Sequence, residues 1–494
     1  MSLRNAWKVL GLVLLGMGLS HCKGDPDVPD AGVDAGVDAG VEPDAGVDAG
    51  PPIQTLRQNV HLMDVDASQR WLVAVERDGS ATVVQDLASG ETRRIAPAVQ
   101  GGAFSRDGSV LVLTHPGPNG LNTAWLWRPG DADASVMSTQ VWGNVVVKEG
   151  ATPYALFLER TAEGGSELRR VFPAACAGGT CQVEAVTQVE AAPADALGLF
   201  MGERFLWMQR GERAWVFDTE LGTLAEAAGA PSSWLRVSPS GNRFARLTPE
   251  WHLQMYENGT QTLLWDVVVP PSEGSMWEFA FFDEDTFILS TATNGGTFPP
   301  SYSSVSCTSQ GCTRFSSTAC RLRQGRGKPV LFCSATDCFG VRCSATYRLM
   351  SSPGVEFSYR GGSIDREPAV SDDLSTVAWM TYDLRNQLGP RTLSWEGASG
   401  QQRLTFPRQV NTTVFDFVPG QQRFVFVNPK ANADGGVENV LSLWDETGVE
   451  EVGAVEGSPL QSLTRAAPPT LYLNGAEWAP DGGLGSTTLQ RIAL

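Results

Sequence analysis

The chain lacks most of what would announce a reaction. Its 494 residues hold four histidines; His21 stands close to the N-terminus, and His61, His115 and His252 are far apart in sequence. There is no Gly-x-Ser-x-Gly elbow, no His-Glu-x-x-His motif, no phosphate-cradling glycine loop and no dinucleotide fingerprint. We therefore assign no catalytic residue, no metal ligand and no cofactor. Positive charge is scarce as well. Lys and Arg number 37 against 55 Asp and Glu, a net charge of −18. Nucleic-acid phosphates would be repelled by such a chain, which excludes nucleic acid as a partner. Long apolar runs are missing too. A membrane-spanning helix takes about 20 residues, and the run from Val9 to Leu19 has 11. Long helical patterns are few.

What is present begins at the N-terminus. Arg4 and Lys8 precede the apolar run, and Ser20-His21-Cys22 follows it. A charged start and a short greasy segment make an export signal over residues 1–21. Its end resembles the bacterial lipoprotein signal, on the strength of Leu19, Ser20 and Cys22, although His21 departs from the small residue usual before the cysteine. The resemblance implies that Cys22 is lipid-modified, so that a lipid anchor holds the protein at the membrane of the cell envelope. Lys23, where an Asp would retain such a protein at the inner membrane, favours the outer one. A secreted or periplasmic product is the alternative.

Residues 22–54 form the next region. From Asp25 to Pro52 the Val-Asp-Ala-Gly unit recurs, with seven Asp and Glu42 and no aromatic residue. Like charges repel, glycine raises backbone entropy, and nothing apolar offsets the cost of ordering, so this is a disordered tether. The aspartates lack the Asp-x-Asp-x-Asp-Gly spacing and closing Glu of a calcium loop.

The rest, 55–494, carries 14 of the 15 Trp together with most of the 53 Gly and 30 Pro, a composition of short strands and tight turns. Two patterns recur. One is a polar turn leading into an apolar strand. Examples are Asp66 to Arg70 before Trp71-Leu72-Val73-Ala74, Ser105-Arg106-Asp107-Gly108-Ser109 before Val110, Ser238 to Asn242 before Phe244, Ser371-Asp372-Asp373 before Val377, and Pro419 to Gln422 before Phe424. The other is a strand ending in an aromatic or polar residue, often an acid, then a glycine turn. Copies are Val84-Gln85-Asp86 with Gly90, Leu126-Trp127-Arg128 with Gly130, Val216-Phe217-Asp218 with Gly222, Ser394-Trp395-Glu396 with Gly400, and Leu443-Trp444-Asp445 with Gly448.

Their spacing, about 40–50 residues or multiples of it, is that of a four-stranded β-propeller blade. One blade cannot bury both its faces, and ringed neighbours bury them. The expected fold is all-β, a propeller of eight blades, with seven or nine as neighbouring counts; tandem β-sandwiches are the competing arrangement. Units start near 58, 100, 196, 233, 364 and 411, with weaker starts near 141, 276 and 458. The segment 294–362 is either an insertion in the blade starting near 276 or one more blade. The motifs resemble those of WD40-like and TolB-type propellers, the Ser-x-Asp-Gly turn being shared with the latter.

Eight cysteines besides Cys22 predict disulfides in an exported chain. Cys176 with Cys181, and Cys307 with Cys312, flank short loops that suit a clip across a hairpin. Cys320, Cys333, Cys338 and Cys343 pair as 320–333 with 338–343, or as 320–343 with 333–338. The same segment is basic: Arg314, Arg321, Arg323, Arg326, Lys328, Arg342 and Arg348 face only Asp337 between 301 and 350. It is a candidate docking surface for an anionic partner. The functional expectation is a non-catalytic, lipid-anchored propeller that offers a binding or scaffolding surface to an envelope protein or glycan. An exported hydrolase using carboxylates at the ring's funnel, directed for example at glycans, is the alternative.

Overall fold

The computed structural model describes residues 53–494, apart from short segments at 190–197, 211, 230–233, 271–274, 294–300, 318, 325–328, 340–341, 353–354, 362, 383–389, 398–399, 407–410, 432–435 and 480–483. Among the described residues the chain is strand after strand; two 3-10 turns, Pro118–Gly120 and Pro173–Ala175, are the helical exceptions. No helix among them is long and apolar enough to cross a membrane.

The strands form antiparallel meanders, eight sheets of four strands and one of nine. The larger sheet is two blades sharing one strand. Ser135–Lys148 pairs with Leu121–Trp127 along its first half and with Tyr154–Arg160 along its second. Between the halves stands Gly143, whose φ of 66° is open to glycine but costly for other residues. The described residues therefore carry ten blades, and the expected count of eight is too low. Blades 1 to 9 occupy 60–96, 101–142, 143–189, 198–226, 235–268, 275–316, 319–361, 363–406 and 411–455; blade 10 joins 458–493 to the first strand, Ile53–Gln58. All three weak starts are blades. The segment 294–362 is divided, its first strands completing blade 6 and the remainder forming blade 7.

Each blade's burial explains the ring. Side chains alternate between the two faces of a strand, and every large apolar cluster draws on two consecutive blades. Trp127 of blade 2 packs with Val73 and Val84 of blade 1, Trp207 of blade 4 with Phe244 of blade 5, and Trp379 of blade 8 with Phe332 of blade 7. Tyr472 of blade 10 packs with Leu72 of blade 1, so the series returns on itself. The covalent ends meet within blade 10, where Ile53–Gln58 pairs antiparallel with Leu484–Ala493.

Both sequence patterns have a structural cause. In the turn between first and second strands, one side-chain oxygen accepts the backbone N–H five residues on. Asp66 receives Trp71 at 2.6 Å, Ser105 receives Val110 at 3.0 Å, Ser238 receives Arg243 at 3.1 Å and Ser371 receives Thr376 at 3.0 Å. The acid ending the third strand receives N–H groups of the next turn: Ala88 on Asp86, Glu220 on Asp218 and Thr447 on Asp445. These are local Asx caps. Trp127, Trp395 and Trp444, each preceding such a turn, are fully buried.

Candidate functional site

The first strand of each blade lies nearest the ring axis, and its polar residues reach toward the next blade. Asp64 on Val60–Val65 is the clearest case. Its carboxylate accepts the N–H of Val65 at 2.8 Å and that of Phe104, in blade 2, at 2.9 Å. Arg465, on the first strand of blade 10, binds the same carboxylate at 2.5 Å. One residue thus joins three blades at the point where the ring closes. Asn144 repeats the device between blades 3 and 4: it accepts the Leu199 N–H at 3.0 Å and donates to the Leu199 carbonyl at 3.1 Å. Glu278 repeats it between blades 6 and 7. Burial pushes its carboxyl pKa up, while the Leu322 N–H and the charges of Arg236 and Arg321 oppose that rise.

At the end of the first strands where Asp64 stands, the turns bond to one another around the ring. Gln69 donates to the Pro468 carbonyl at 2.6 Å. The Arg106 N–H meets Glu149 at 2.5 Å, and Lys148 donates to the Glu203 carbonyl. The Glu203 N–H meets the Ser240 carbonyl at 3.3 Å, and the Ser240 N–H meets Glu284 at 2.7 Å. The Gly420 N–H meets Asp372 at 2.7 Å. In an antiparallel meander the turns after the first and third strands lie at one end of the blade. The chain enters at Ile53, opposite Ile492, at that end. The hairpins of Cys176–Cys181 and Cys307–Cys312 share it.

A cleft of about 340 Å³ opens between blades 2 and 3. Its floor is the strand Gly101–Phe104, where a Cβ on Gly102 would come 2.8 Å from Leu113 and one on Gly101 2.8 Å from Thr114. Asn144 and the Arg106–Glu149 pair stand on its polar side.

The expected site residues are placed as follows. Cys176–Cys181, Cys307–Cys312 and Cys320–Cys333 are disulfides, which rules out the 320–343 with 333–338 pairing. Cys338 and Cys343 are register partners across one hairpin. Disulfides on this pattern are characteristic of exported chains. Among the described residues, the basic positions are spread over different strands of two blades. Arg314 lies on the outermost strand of blade 6, Arg321 and Arg323 on the innermost strand of blade 7. Arg342 begins the third strand of blade 7, opposite Phe339, about 33 Å along the second strand from Pro329 at ~3.3 Å per residue; Arg348 lies further along the third. Arg326, Lys328, Cys22 and the tether fall outside the described residues. His61, His115 and His252 belong to blades 1, 2 and 5, on first, second and third strands. His252 Nδ1 stands 2.8 Å from Asp266.

Sequence reasoning missed Asp64, Asn144, Glu278 and Arg236. Each acts on a partner some 40–55 positions away, so no local spacing marks them. Their one shared signal is a polar residue inside an otherwise apolar first strand.

No family model matches the chain, and no curated protein matches it in sequence. Solved structures resemble it in fold. A eukaryotic initiation factor structure is 11% identical, covering 89% of this chain and 98% of that one, with a TM-score of 0.47. The WD40 domain of SCAP from fission yeast is 9% identical, covering 90% and 98%, with a TM-score of 0.38. Dipeptidyl peptidase 4 of Porphyromonas gingivalis is 12% identical with a TM-score of 0.44; the match covers 86% of this chain and 65% of the peptidase, just under two thirds. The neighbours include a WD40 domain and peptidases; it is the chain's own strand pairing, four-stranded antiparallel meanders closed by Ile53–Gln58 on Leu484–Ala493, that defines it as an all-β propeller.

Proposed function

We propose that this chain is a lipid-anchored protein of the cell envelope, held at Cys22 by the 22–54 tether, whose propeller at 55–494 presents a binding surface to an envelope protein or glycan. One observation carries the non-catalytic reading: polar groups on the axial strands are engaged as clamps. Asp64 and Asn144 bond the backbone of the following blade, and Asp64 also holds Arg465. A carboxylate committed to an N–H and a guanidinium is poorly placed to move protons for a substrate. Three disulfides and the signal-like N-terminus support export.

The test is capture from envelope extracts with the full chain in mild detergent, together with metabolic labelling by a fatty-acid analogue. Labelling that survives Cys22→Ala, or an absence of any envelope partner, defeats the reading. The hydrolase remains the second reading because of Glu278 alone, since a raised carboxyl pKa suits a general acid. Turnover of an envelope polysaccharide, abolished in Glu278→Gln, would establish it.

A further inference from the structure

The outer rim of blade 5 differs from the other rims in what it leaves to solvent. Its fourth strand, Leu263–Val268, ends the sheet, and no described strand pairs with its far edge. Leu263 is 45% exposed, Leu264 42% and Val268 62%; among the described residues no other fourth strand leaves more than one large apolar side chain so open. Charges guard the corresponding edges elsewhere, Arg93 and Arg94 on Thr92–Ala96 and Glu450 and Glu451 on Gly448–Val455. On Leu263–Val268 the one charge is Asp266, held by Gln254 at 2.9 Å and by His252 at 2.8 Å.

The backbone of that edge is open as well. The Val269 N–H bonds the Trp251 carbonyl, so by alternation Val268 and Asp266, opposite His252 and Gln254, turn their N–H and carbonyl groups away from the sheet. Trp265 and Val267 pack toward blade 6, which puts Leu264, Asp266 and Val268 on the other side of the strand. The surroundings are acidic. Between Arg246 and Arg314 the sequence has eight acids and no Lys or Arg. Glu257 stands at the start of the strand, its N–H on the Thr262 carbonyl, and Glu250 stands near its end, beside Trp251; both are exposed. On the flanking blades, Arg213 is paired with Glu226 at 2.8 Å and Arg314 is likewise engaged.

Building on the binding reading above, we propose that Leu263–Val268 is the docking edge for a protein partner, which adds an extended basic segment to blade 5 as an antiparallel fifth strand. One face of that segment reads basic, apolar, basic, apolar, basic. Its backbone pairs with the outward groups of Asp266 and Val268. Its apolar side chains cover Leu264 and Val268, its central basic residue meets Asp266, and the outer ones meet Glu257 and Glu250. A second copy of this chain suits the edge less well, since it would bring an equally acidic rim.

The full chain, in mild detergent, is titrated calorimetrically with the synthetic peptide Lys-Thr-Val-Thr-Lys-Thr-Val-Thr-Lys and with its Glu-for-Lys counterpart. Two further copies of the lysine peptide are N-methylated, one on the Val and central Lys amides, the other on the Thr amides. We expect the lysine peptide to bind, added salt to weaken it, and the glutamate peptide to bind at least about tenfold more weakly. Methylation of the Val and Lys amides, which face the docking edge, abolishes binding; methylation of the Thr amides leaves it. Val268→Pro, which removes an outward N–H that the sheet does not use, and Val268→Lys each lower affinity about tenfold. Asp266→Asn lowers it about threefold, the scale of one exposed ion pair. Val449→Lys, on the fourth strand of blade 9, leaves affinity unchanged and controls for net charge. Equal affinity for the glutamate peptide, equal effects of the two methylation patterns, or full affinity in folded Val268→Lys overturns the inference. So does a dimer, read by sedimentation, that Val268→Lys dissociates, because the edge then belongs to a second copy. Envelope capture that persists in Val268→Lys would leave the binding reading standing while removing this site.

Discussion

The two faces of blade 9 are built from different materials. Toward blade 8 it presents Phe415, Phe417, Phe424, Phe426 and Trp444, against Trp395 and Phe406. Toward blade 10 it presents Val414, Val418, Val425, Val427, Leu441 and Leu443, against Leu471, Leu473 and Ile492. A single strand, Phe424 to Val427, supplies both by alternation. The aromatic side also carries a lattice of turn contacts: Thr376 donates to Gln422 at 2.8 Å, and Gln422 donates to Asp373 at 2.6 Å. The aliphatic side receives Ile53 of the closing strand instead. Each junction of the ring therefore has its own packing code, and period alone does not say which blades stick most firmly.

The comparison can be broken by substitution. Phe424→Ala should have the largest effect, about 4 kcal/mol of destabilisation, because a fully buried ring leaves a cavity. Val425→Ala, one position away and equally buried, should cost about 2 kcal/mol. Thermal and urea melts of the two variants read the difference, and equal losses would mean the two faces are energetically alike. Gln422→Ala removes three hydrogen bonds of the exposed turn lattice, to Thr376, Asp373 and Ser375, and should cost about 1 kcal/mol.

A pH series sharpens the same contrast. The Ser371 hydroxyl, followed by the Ser375 N–H and Gln422, holds the Asp373 carboxyl down at about 2 against some opposition from burial. A depressed pKa stabilises the fold above the unfolded value of 3.8 and loses that contribution as pH falls toward 2. Ser371→Ala should therefore move the onset of acid unfolding to higher pH. Glu278 behaves in the opposite sense: its raised pKa favours the fold below 4.5, and the benefit fades as pH rises through the folded value. Glu278→Gln should flatten that limb of the stability curve. The smallest effect belongs to Leu264→Ser, on an outer strand where the side chain is 42% exposed; melts should shift by no more than about 0.5 kcal/mol.

Much of the ring was legible in the sequence, because its signals are local. The five-residue turn bond and the strand-end cap each need residues close together, so Ser105, Ser371, Asp86 and Asp445 announce them. The blade count was not legible for an equally physical reason. Blades 2 and 3 meet inside one continuous strand, Ser135–Lys148, so no turn chemistry marks the boundary. Between the first two strands of blade 7 the sequence reads Gly-Arg-Gly-Lys, without the Ser or Asp that opens the turns at Asp66, Ser105, Ser238 and Ser371. The axial groups were hidden by distance. Arg465 and Asp64 are 401 positions apart and meet only because the ring closes.

That closure has a mechanical side. Ile53 is both the first residue of the clasp strand and the point where the N-terminal segment leaves the ring. None of the three disulfides spans two blades. The clasp strand Ile53–Gln58 is therefore held by backbone pairing with Leu484–Ala493 and by the packing of Ile53. No disulfide among the described residues backs it, so loss of that one strand would unfasten blade 10 while every other blade kept its four strands.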